Sequence, residues 1–267
     1  MSIERVRDAL RGISGVHVTA YDAEGGVDAA LTGRVVARVA EAGIHNIVSG
    51  GNTGEFYALA PAEIRRVQEI AIAAVAGRAL VAAAVGRSLR EAIATAREAG
   101  GMGADAVMAH QPLDPFAAPS AQVDYFLAIA EAASVPLVAY VRSNDIGLSD
   151  FTRLAAHKNL AGIKFATPNL MLLADCIRAT AHLPAIWVCG LAEGWAAPFY
   201  ALGAKGFTSG LVNVAPERSL GIHAALEVGD YDEARRQVAA IAAFETMRTK
   251  HNNGANVTVV KEAMMLA

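Results

Sequence analysis

Lys164 lies in an apolar run, residues 160–166, that reads LAGIKFA and has no carboxylate within it. Burying an ammonium group is costly, so a lysine in such a run tends to lose its proton and become a nucleophilic amine. A neutral amine among β-strand residues can form a Schiff base with the ketone of a keto acid. The competing interpretation is an ordinary strand-end lysine whose stem is buried and whose ammonium reaches water. The elements that position Lys164 bear on this choice.

Short apolar runs alternate with amphipathic stretches from one end of the chain nearly to the other. This alternation predicts eight strands, the number in a (β/α)8 TIM barrel. The predicted strands are residues 15–20, 46–50, 80–85, 105–109, 136–141, 160–166, 185–189 and 205–209. The predicted helices between them are residues 28–42, 61–76, 88–100, 120–133, 149–156, 169–180 and 192–202.

Further helical stretches follow the last strand, at residues 216–228, 231–248 and 257–266. We therefore expect a single domain, 1–267, with the barrel in 1–214 and a helical extension packed on it in 215–267. A doubly wound sheet would use the same units, but its dinucleotide fingerprint is missing. The glycine-rich segment 50–55, GGNTGE, has neither the G-x-G-x-x-G spacing nor the ending of a phosphate loop.

In a barrel, the residues at the carboxyl ends of the strands face one shared site. Lys164 is then the only lysine placed to reach that site, since Lys205 opens the eighth strand at the opposite face and the others precede strands or lie in helices. The same rule selects the loops 50–55, 110–114 and 190–193, together with four single residues: Tyr140, Arg142, Lys164 and Ser209.

Several of these segments occur together in a characteristic order and spacing. They are the GGNTGE loop at 50–55, Tyr140 at a strand end, the triplet GIK at 162–164, and GFTS at 206–209 followed by Asn213 and Pro216. Over nearly its whole length the chain resembles the dihydrodipicolinate synthase / N-acetylneuraminate lyase family of Schiff-base lyases. The resemblance implies that Lys164 forms the imine and that Tyr140 shuttles protons as the carbinolamine forms and collapses.

The resemblance also implies that Gly51, Asn52 and Thr53 bind the carboxylate of the keto acid. Backbone N–H groups freed by glycine and the Thr53 hydroxyl can together form an anion nest. An ordinary glycine-rich turn is the alternative. The remaining candidates for substrate contacts are Arg142, whose planar fork suits a distal carboxylate or hydroxyl, and Gly190, Glu193 and Ser209. His110 could steer protons, whereas Asp114, followed by Pro115, is better explained as a turn residue.

Three departures from the family pattern bear on the reaction. The synthase usually has a paired Thr-Thr before Gly-Glu, a Pro-Tyr-Tyr after the fourth strand and an arginine beyond the strand-five tyrosine. This chain has Asn52-Thr53, Pro112-Leu113-Asp114 and Asp145 at those positions. Sialic acid lyases typically have an Asp-Glu pair where this chain has Ala192-Glu193. The sequence around Tyr140 and Arg142, and the loop ending in Gly-Glu-Phe, resemble instead the keto-deoxy sugar-acid dehydratases.

Charge, hydropathy and the spacing of cysteines and histidines disfavour several other function classes. The net charge of -3 and the lack of a basic run disfavour nucleic acid and anionic membranes as partners. The sequence shows no membrane-spanning window and no apolar signal sequence, so we expect a cytoplasmic protein. Cys176 and Cys189 have no partner motif, which indicates reduced core residues. The histidines form no H-x-x-x-H cluster, so a metal-dependent aldolase fits poorly, and no cofactor is expected.

We therefore predict a lyase that forms a Schiff base with a 2-keto acid, foremost a 2-keto-3-deoxy sugar acid dehydratase. A pyruvate-dependent class I aldolase, including 4-hydroxy-tetrahydrodipicolinate synthase, is the first alternative. A non-catalytic keto-acid-binding protein is the alternative from another class. The resemblance and the alanine-rich apolar composition further predict a homo-oligomer, a dimer or tetramer.

Overall fold

Eight parallel strands form a closed barrel in the computed structural model of the protein, which describes residues 2–267. The strands follow chain order around the barrel, and β8 pairs with β1. The predicted (β/α)8 barrel is thus confirmed. The strands are β1 Ile13–Val16, β2 Asn46–Ser49, β3 Leu80–Val85, β4 Ala106–His110, β5 Leu137–Val141, β6 Leu160–Phe165, β7 Ile186–Cys189 and β8 Phe207–Ser209.

Helices surround the barrel, and several begin with a capping hydrogen bond. Ser88 accepts a hydrogen bond from the Glu91 N–H, and the Glu63 carboxylate accepts one from the Ala60 N–H. The helices are α1 Ile3–Leu10, α2 Ala29–Glu41, α3 Pro61–Val75, α4 Leu89–Met102, α5 Pro119–Ala132, α6 Leu148–Ala155, α7 Leu170–Ala179, α8 Glu193–Ala201, α9 Pro216–Glu227, α10 Tyr231–Ala240, α11 Ala242–Arg248 and α12 Asn256–Leu266. No helix in this part of the chain is both long and apolar enough to cross a membrane.

The side chains of each strand divide into two apolar layers. In β6, Ile163 and Phe165 pack outward against the helices, whereas Ala161 and Lys164 face the barrel interior. Both faces are buried in every strand, so the strands are apolar throughout rather than alternating. This arrangement places the Lys164 ammonium in the barrel interior near the carboxyl ends of the strands.

The structure corrects one predicted strand boundary and the prediction of two helical segments. The first strand ends at Val16, because residues 17–20, although buried, bond to side chains instead of to a neighbouring strand; Val18 N–H, for example, donates to the Asn213 carbonyl oxygen Oδ1. The helix predicted at 231–248 is interrupted at Ile241 and forms α10 and α11. Helix α1 was not predicted at all.

The division between barrel and extension also shifts. Helix α9 follows β8 and packs against β1 and α8, so it completes the ring of barrel helices. Besides the ring α2–α9, the chain has α1 before β1 and three added helices, α10, α11 and α12, after α9. Helix α12 packs through Val260 against Val18 and Val35, beside the chain that leaves the carboxyl end of β1. The last helix thus lies at the same end of the barrel as Lys164.

Candidate active site

The strand register aligns three polar side chains across neighbouring strands. His110 of β4 pairs with Tyr140 of β5, which pairs with Lys164 of β6. Register partners in a sheet point to the same face, so all three face the barrel interior near its carboxyl end. The Lys164 Nζ lies 3.9 Å from the centre of the Tyr140 ring. The two residues expected to perform the chemistry are therefore in contact.

Lys164 is 5% exposed and makes no hydrogen bond through Nζ to any of residues 2–267. Burial, and to a smaller extent the nearby Arg142 charge, lower its pKa from the ordinary 10.5 to about 7. About half of the molecules at neutral pH therefore carry a neutral, nucleophilic amine at this position. The geometry supports the interpretation of Lys164 as a buried amine over that of a lysine reaching into water.

Tyr140, in contrast to Lys164, is held in its protonated form. Burial raises the pKa of its phenol to about 12, so the hydroxyl keeps its proton at ordinary pH. The amide Nδ2 of Asn52 donates to the phenol oxygen over 3.1 Å. Because that contact uses an acceptor position of the oxygen, the phenol proton is left to point elsewhere. The Asn52 carbonyl oxygen Oδ1 is buried and has no partner among residues 2–267.

The loop after β2 carries a set of unused hydrogen-bond donors. It folds as successive tight turns, in which the N–H groups of Gly54 and Glu55 bond back to the carbonyls of Gly51 and Asn52. The N–H groups of Asn52 and Thr53 precede these turns and bond to no carbonyl among the described residues. Gly51 is required here, because a Cβ would lie 2.5 Å from a Val16 methyl group. The free donors fit the anion nest predicted from the sequence.

His110 contacts this loop and the aromatic ring of Phe56. Its Nε2 lies 3.1 Å from the Gly50 carbonyl, which can only accept, and its ring stacks on Phe56 with centroids 4.3 Å apart. Burial lowers the pKa of His110 to about 3, so the ring stays neutral. Asp114 is exposed and accepts from the Phe116 N–H, which confirms it as a turn residue.

Arg142 stands at the rim, exposed, and its guanidinium forms no ion pair with any residue that the structure describes. The loop that carries it is held by Gln111, whose Oε1 accepts the N–H groups of Arg142 and Ser143 over 2.6 and 2.9 Å. Sequence reasoning selected the loop 110–114 but did not single out Gln111, although its position directly after β4 is a signal. It also missed Tyr57, which packs edge-on against His110 at 5.1 Å and is partly exposed at the mouth.

Glu193 and Ser209, predicted to bind substrate, are not brought to Lys164. Ser209 points outward from β8, and its hydroxyl donates to the Glu193 carboxylate over 2.5 Å, as does Ser219 of α9 over 2.6 Å. Thr208, the neighbour of Ser209, faces the interior beside Lys164 instead. Burial raises the pKa of Glu193, and the negative charge of nearby Glu245 acts in the same direction. This network ties α8 and α9 to the barrel, outside the site.

Gly190 has a packing reason of its own. Its N–H donates to the Phe165 carbonyl over 2.8 Å, and a Cβ at Gly190 would lie 2.6 Å from the Ala166 Cβ. The close approach of the β6 and β7 ends therefore requires glycine there. A role in substrate binding stays a prediction for Gly190, as it does for Gly51, Asn52, Thr53 and Arg142.

Together these groups can perform one kind of chemistry. A neutral amine can attack a ketone, an adjacent phenol can carry the protons that imine formation moves, and free N–H groups can hold the neighbouring carboxylate. The site therefore has the parts of a Schiff-base lyase for 2-keto acids.

Comparison with known proteins agrees with this geometry. The model of the Dihydrodipicolinate synthetase family matches residues 9–267. An uncharacterized DapA-like lyase of Halobacterium salinarum is 31% identical over 96% of this chain and 84% of its own length. A probable 5-dehydro-4-deoxyglucarate dehydratase of Streptomyces coelicolor is 31% identical over 80% of this chain and 70% of its own.

Among solved structures, dihydrodipicolinate synthase from Oceanobacillus iheyensis superposes with a TM-score of 0.96. It is 36% identical, and the match covers 99% of this chain and 89% of that one. The match thus includes both the barrel and the added helices. The chain belongs to the dihydrodipicolinate synthetase family of lyases.

Proposed function

We propose that Lys164 forms a Schiff base with the ketone of a 2-keto acid, and that the substrate is a 2-keto-3-deoxy sugar acid, which the protein dehydrates. The observation that carries the first half is the Lys164 amine, which is buried, has a pKa of about 7 and lies 3.9 Å from the Tyr140 ring. In the proposed reaction, the protonated imine withdraws electrons from the adjacent carbon, which loses a proton. Tyr140 carries that proton to the hydroxyl of the next carbon, the enamine expels this hydroxyl as water, and hydrolysis of the remaining imine releases the product and frees Lys164.

Asn52 supports dehydration over the synthase reaction. In the synthase pattern a threonine hydroxyl stands at this position, and a hydroxyl can both accept and donate a proton. An amide that donates to Tyr140 over 3.1 Å cannot pass a proton on. Asp145, at the position of the synthase's arginine, is exposed and cannot make the contact that an arginine makes to the synthase's product. The similarity to a probable dehydratase points the same way.

A pyruvate-dependent aldolase, including the dihydrodipicolinate synthase reaction, is the second candidate. It is favoured by the 36% identity to a synthase structure across the whole chain. The two reactions share the imine and enamine, and they differ only in which bond of the next carbon breaks or forms.

Two experiments test the proposal in order. Borohydride with pyruvate should leave one stable adduct on Lys164, and Lys164→Arg should abolish it, because a guanidinium stays protonated and cannot attack a ketone. Lys205→Arg is the matched control, since Lys205 lies at the amino end of β8, and should change nothing. An adduct on Lys205, or none, would remove the basis of the mechanism.

The product then identifies the reaction. Loss of one water from a 2-keto-3-deoxy sugar acid, seen by mass spectrometry, supports the dehydratase. Two fragments including pyruvate support the aldolase, and efficient condensation of pyruvate with aspartate semialdehyde supports the synthase. A stoichiometric adduct without turnover on any of these substrates would indicate a keto-acid-binding protein.

We also propose that the chain assembles as a dimer or tetramer. The β4–α5 loop exposes two large apolar side chains near the barrel mouth, Leu113 at 62% and Phe116 at 94%. A contact between copies would cover them. Light scattering that shows a monomer at micromolar concentration would contradict this expectation.

A further inference from the structure

The last helix is attached to the loop that carries the proposed carboxylate donors. Lys261 of α12 forms an ion pair of 2.6 Å with Glu55, and Asn256, the first residue of α12, donates through Nδ2 to the Thr53 hydroxyl oxygen over 3.0 Å. Asn256 and Thr53 are 203 positions apart in the chain. The loop after β2 is therefore held from outside the barrel by the added helices.

The orientation of the Asn256 amide is set by Arg248. The Arg248 Nη1 lies 3.1 Å from Oδ1 of Asn256, and a guanidinium can only donate. Arg248 is itself 8% exposed and fixed by two contacts of 2.6 Å to Glu245. Because Arg248 requires the carbonyl side of the amide, the NH2 side must face Thr53.

The orientation of the Asn256 amide in turn sets the direction of the Thr53 hydroxyl. Its oxygen already accepts from Asn256, so the hydroxyl proton is directed to another acceptor, and none is found among residues 2–267. Thr53 is 6% exposed, and its backbone N–H and that of Asn52 are equally without an acceptor there. The Thr53 hydroxyl, the Thr53 N–H and the Asn52 N–H are thus three neighbouring donors without an acceptor, an arrangement that suits an anion.

We propose that Asn256 is a positioning residue: it fixes the Thr53 hydroxyl as a donor to the carboxylate of the keto acid. The assignment rests on the proposed function, in which the loop after β2 binds that carboxylate. It makes substrate affinity depend on α12, which itself supplies no group to Lys164.

The test is the pyruvate concentration that gives half-maximal borohydride trapping on Lys164, measured by intact-protein mass spectrometry. Asn256→Asp presents an acceptor to Thr53 and reverses its hydroxyl, so the half-saturating concentration should rise about tenfold or more, the effect of losing a hydrogen bond to a charged group. The limiting trapping rate should stay unchanged, because Lys164 is untouched. Asn253→Asp adds the same charge at an exposed position nearby and should have little effect.

A double-mutant cycle separates this role from a general effect of charge or folding. In a Thr53→Val background, which has no hydroxyl to orient, Asn256→Asp should raise the half-saturating concentration much less than in the wild type. An equal rise in both backgrounds would overturn the assignment. If Asn256→Asp does not fold, Asn256→Ala decides: it frees the hydroxyl instead of reversing it, so a rise of about threefold is expected and no rise refutes the assignment.

The outcome also distinguishes the two proposals. Wild-type protein that fails to trap pyruvate would refute the proposed function and this assignment together. Wild-type trapping with unchanged half-saturation in the Asn256 variants would refute the assignment alone.

Discussion

The lowered pKa of Lys164 makes a quantitative prediction about the pH dependence of imine formation. With a pKa of about 7, half of the Lys164 side chains are neutral at pH 7. At the ordinary value of 10.5, roughly one in three thousand would be neutral. Burial in the barrel therefore increases the reactive amine by about three orders of magnitude at neutral pH.

The assay is the initial rate of pyruvate trapping on Lys164 as a function of pH. Because the charged ammonium cannot attack, the rate should rise about tenfold per pH unit below pH 7 and reach a plateau above it. His110, with a pKa of about 3, and Tyr140, with a pKa of about 12, should not titrate across this range. Of these three groups, only Lys164 can produce the rise.

Arg142 provides the perturbation. Its positive charge disfavours a second positive charge on Lys164, so Arg142→Met should raise the Lys164 pKa and move the acid limb to higher pH. Arg97→Met is the matched control, since Arg97 is exposed on the outside of α4. A limb near pH 10, or a limb that Arg142→Met leaves in place, would refute the electrostatic reasoning about this site.

Three further predictions concern the groups around the amine. Tyr140→Phe should lower turnover by about a hundredfold or more, the usual effect of losing an acid–base group, while adducts at Lys164 still form slowly; adduct formation and turnover are measured on the same sample. Glu193→Gln should leave the half-saturating pyruvate concentration unchanged, because Glu193 bonds to Ser209 and Ser219 outside the site. A large rise in that concentration would indicate that Glu193 contacts the substrate. The wild-type free energy of unfolding, relative to that of Lys164→Met, should rise between pH 7 and 10.5 by up to roughly 5 kcal/mol. The reason is that the unfolded chain binds the Lys164 proton in that range and the folded chain does not. Urea titrations at several pH values measure this difference, and a difference that does not change with pH would contradict the buried amine.

The barrel could be predicted from sequence, and Lys164 could be singled out as a buried amine, because both inferences depend on local patterns. Eight apolar runs separated by amphipathic stretches specify the strand count, and the barrel rule then assigns the functional end of each strand. The direction of individual side chains could not be predicted. Strands buried on both faces do not alternate, so nothing in the run GFTS indicates that Thr208 faces inward and Ser209 outward.

The long-range hydrogen bonds around the site could not be predicted for a different reason. Asn256 meets Thr53 across 203 positions, and Gln111 holds a loop 31 positions away. Such contacts depend on how helices and loops pack, which no local pattern encodes. Their residue types, asparagine and glutamine, are also ordinary surface residues, so composition gives no signal for them.

The polarity of the site follows from two amides, Asn52 and Asn256, that donate to hydroxyl groups. Asn52 donates to the Tyr140 oxygen, and Asn256 donates to the Thr53 oxygen. Each contact uses an acceptor position on a hydroxyl and leaves its proton for the pocket, so both hydroxyls act there as donors. Since His110 is neutral and bonded to the Gly50 carbonyl, the proposed mechanism assigns proton exchange at the imine to Lys164 and Tyr140. A site with one phenol to carry protons suits a reaction completed within one substrate molecule, as elimination of water is, better than a condensation that must also activate a second substrate.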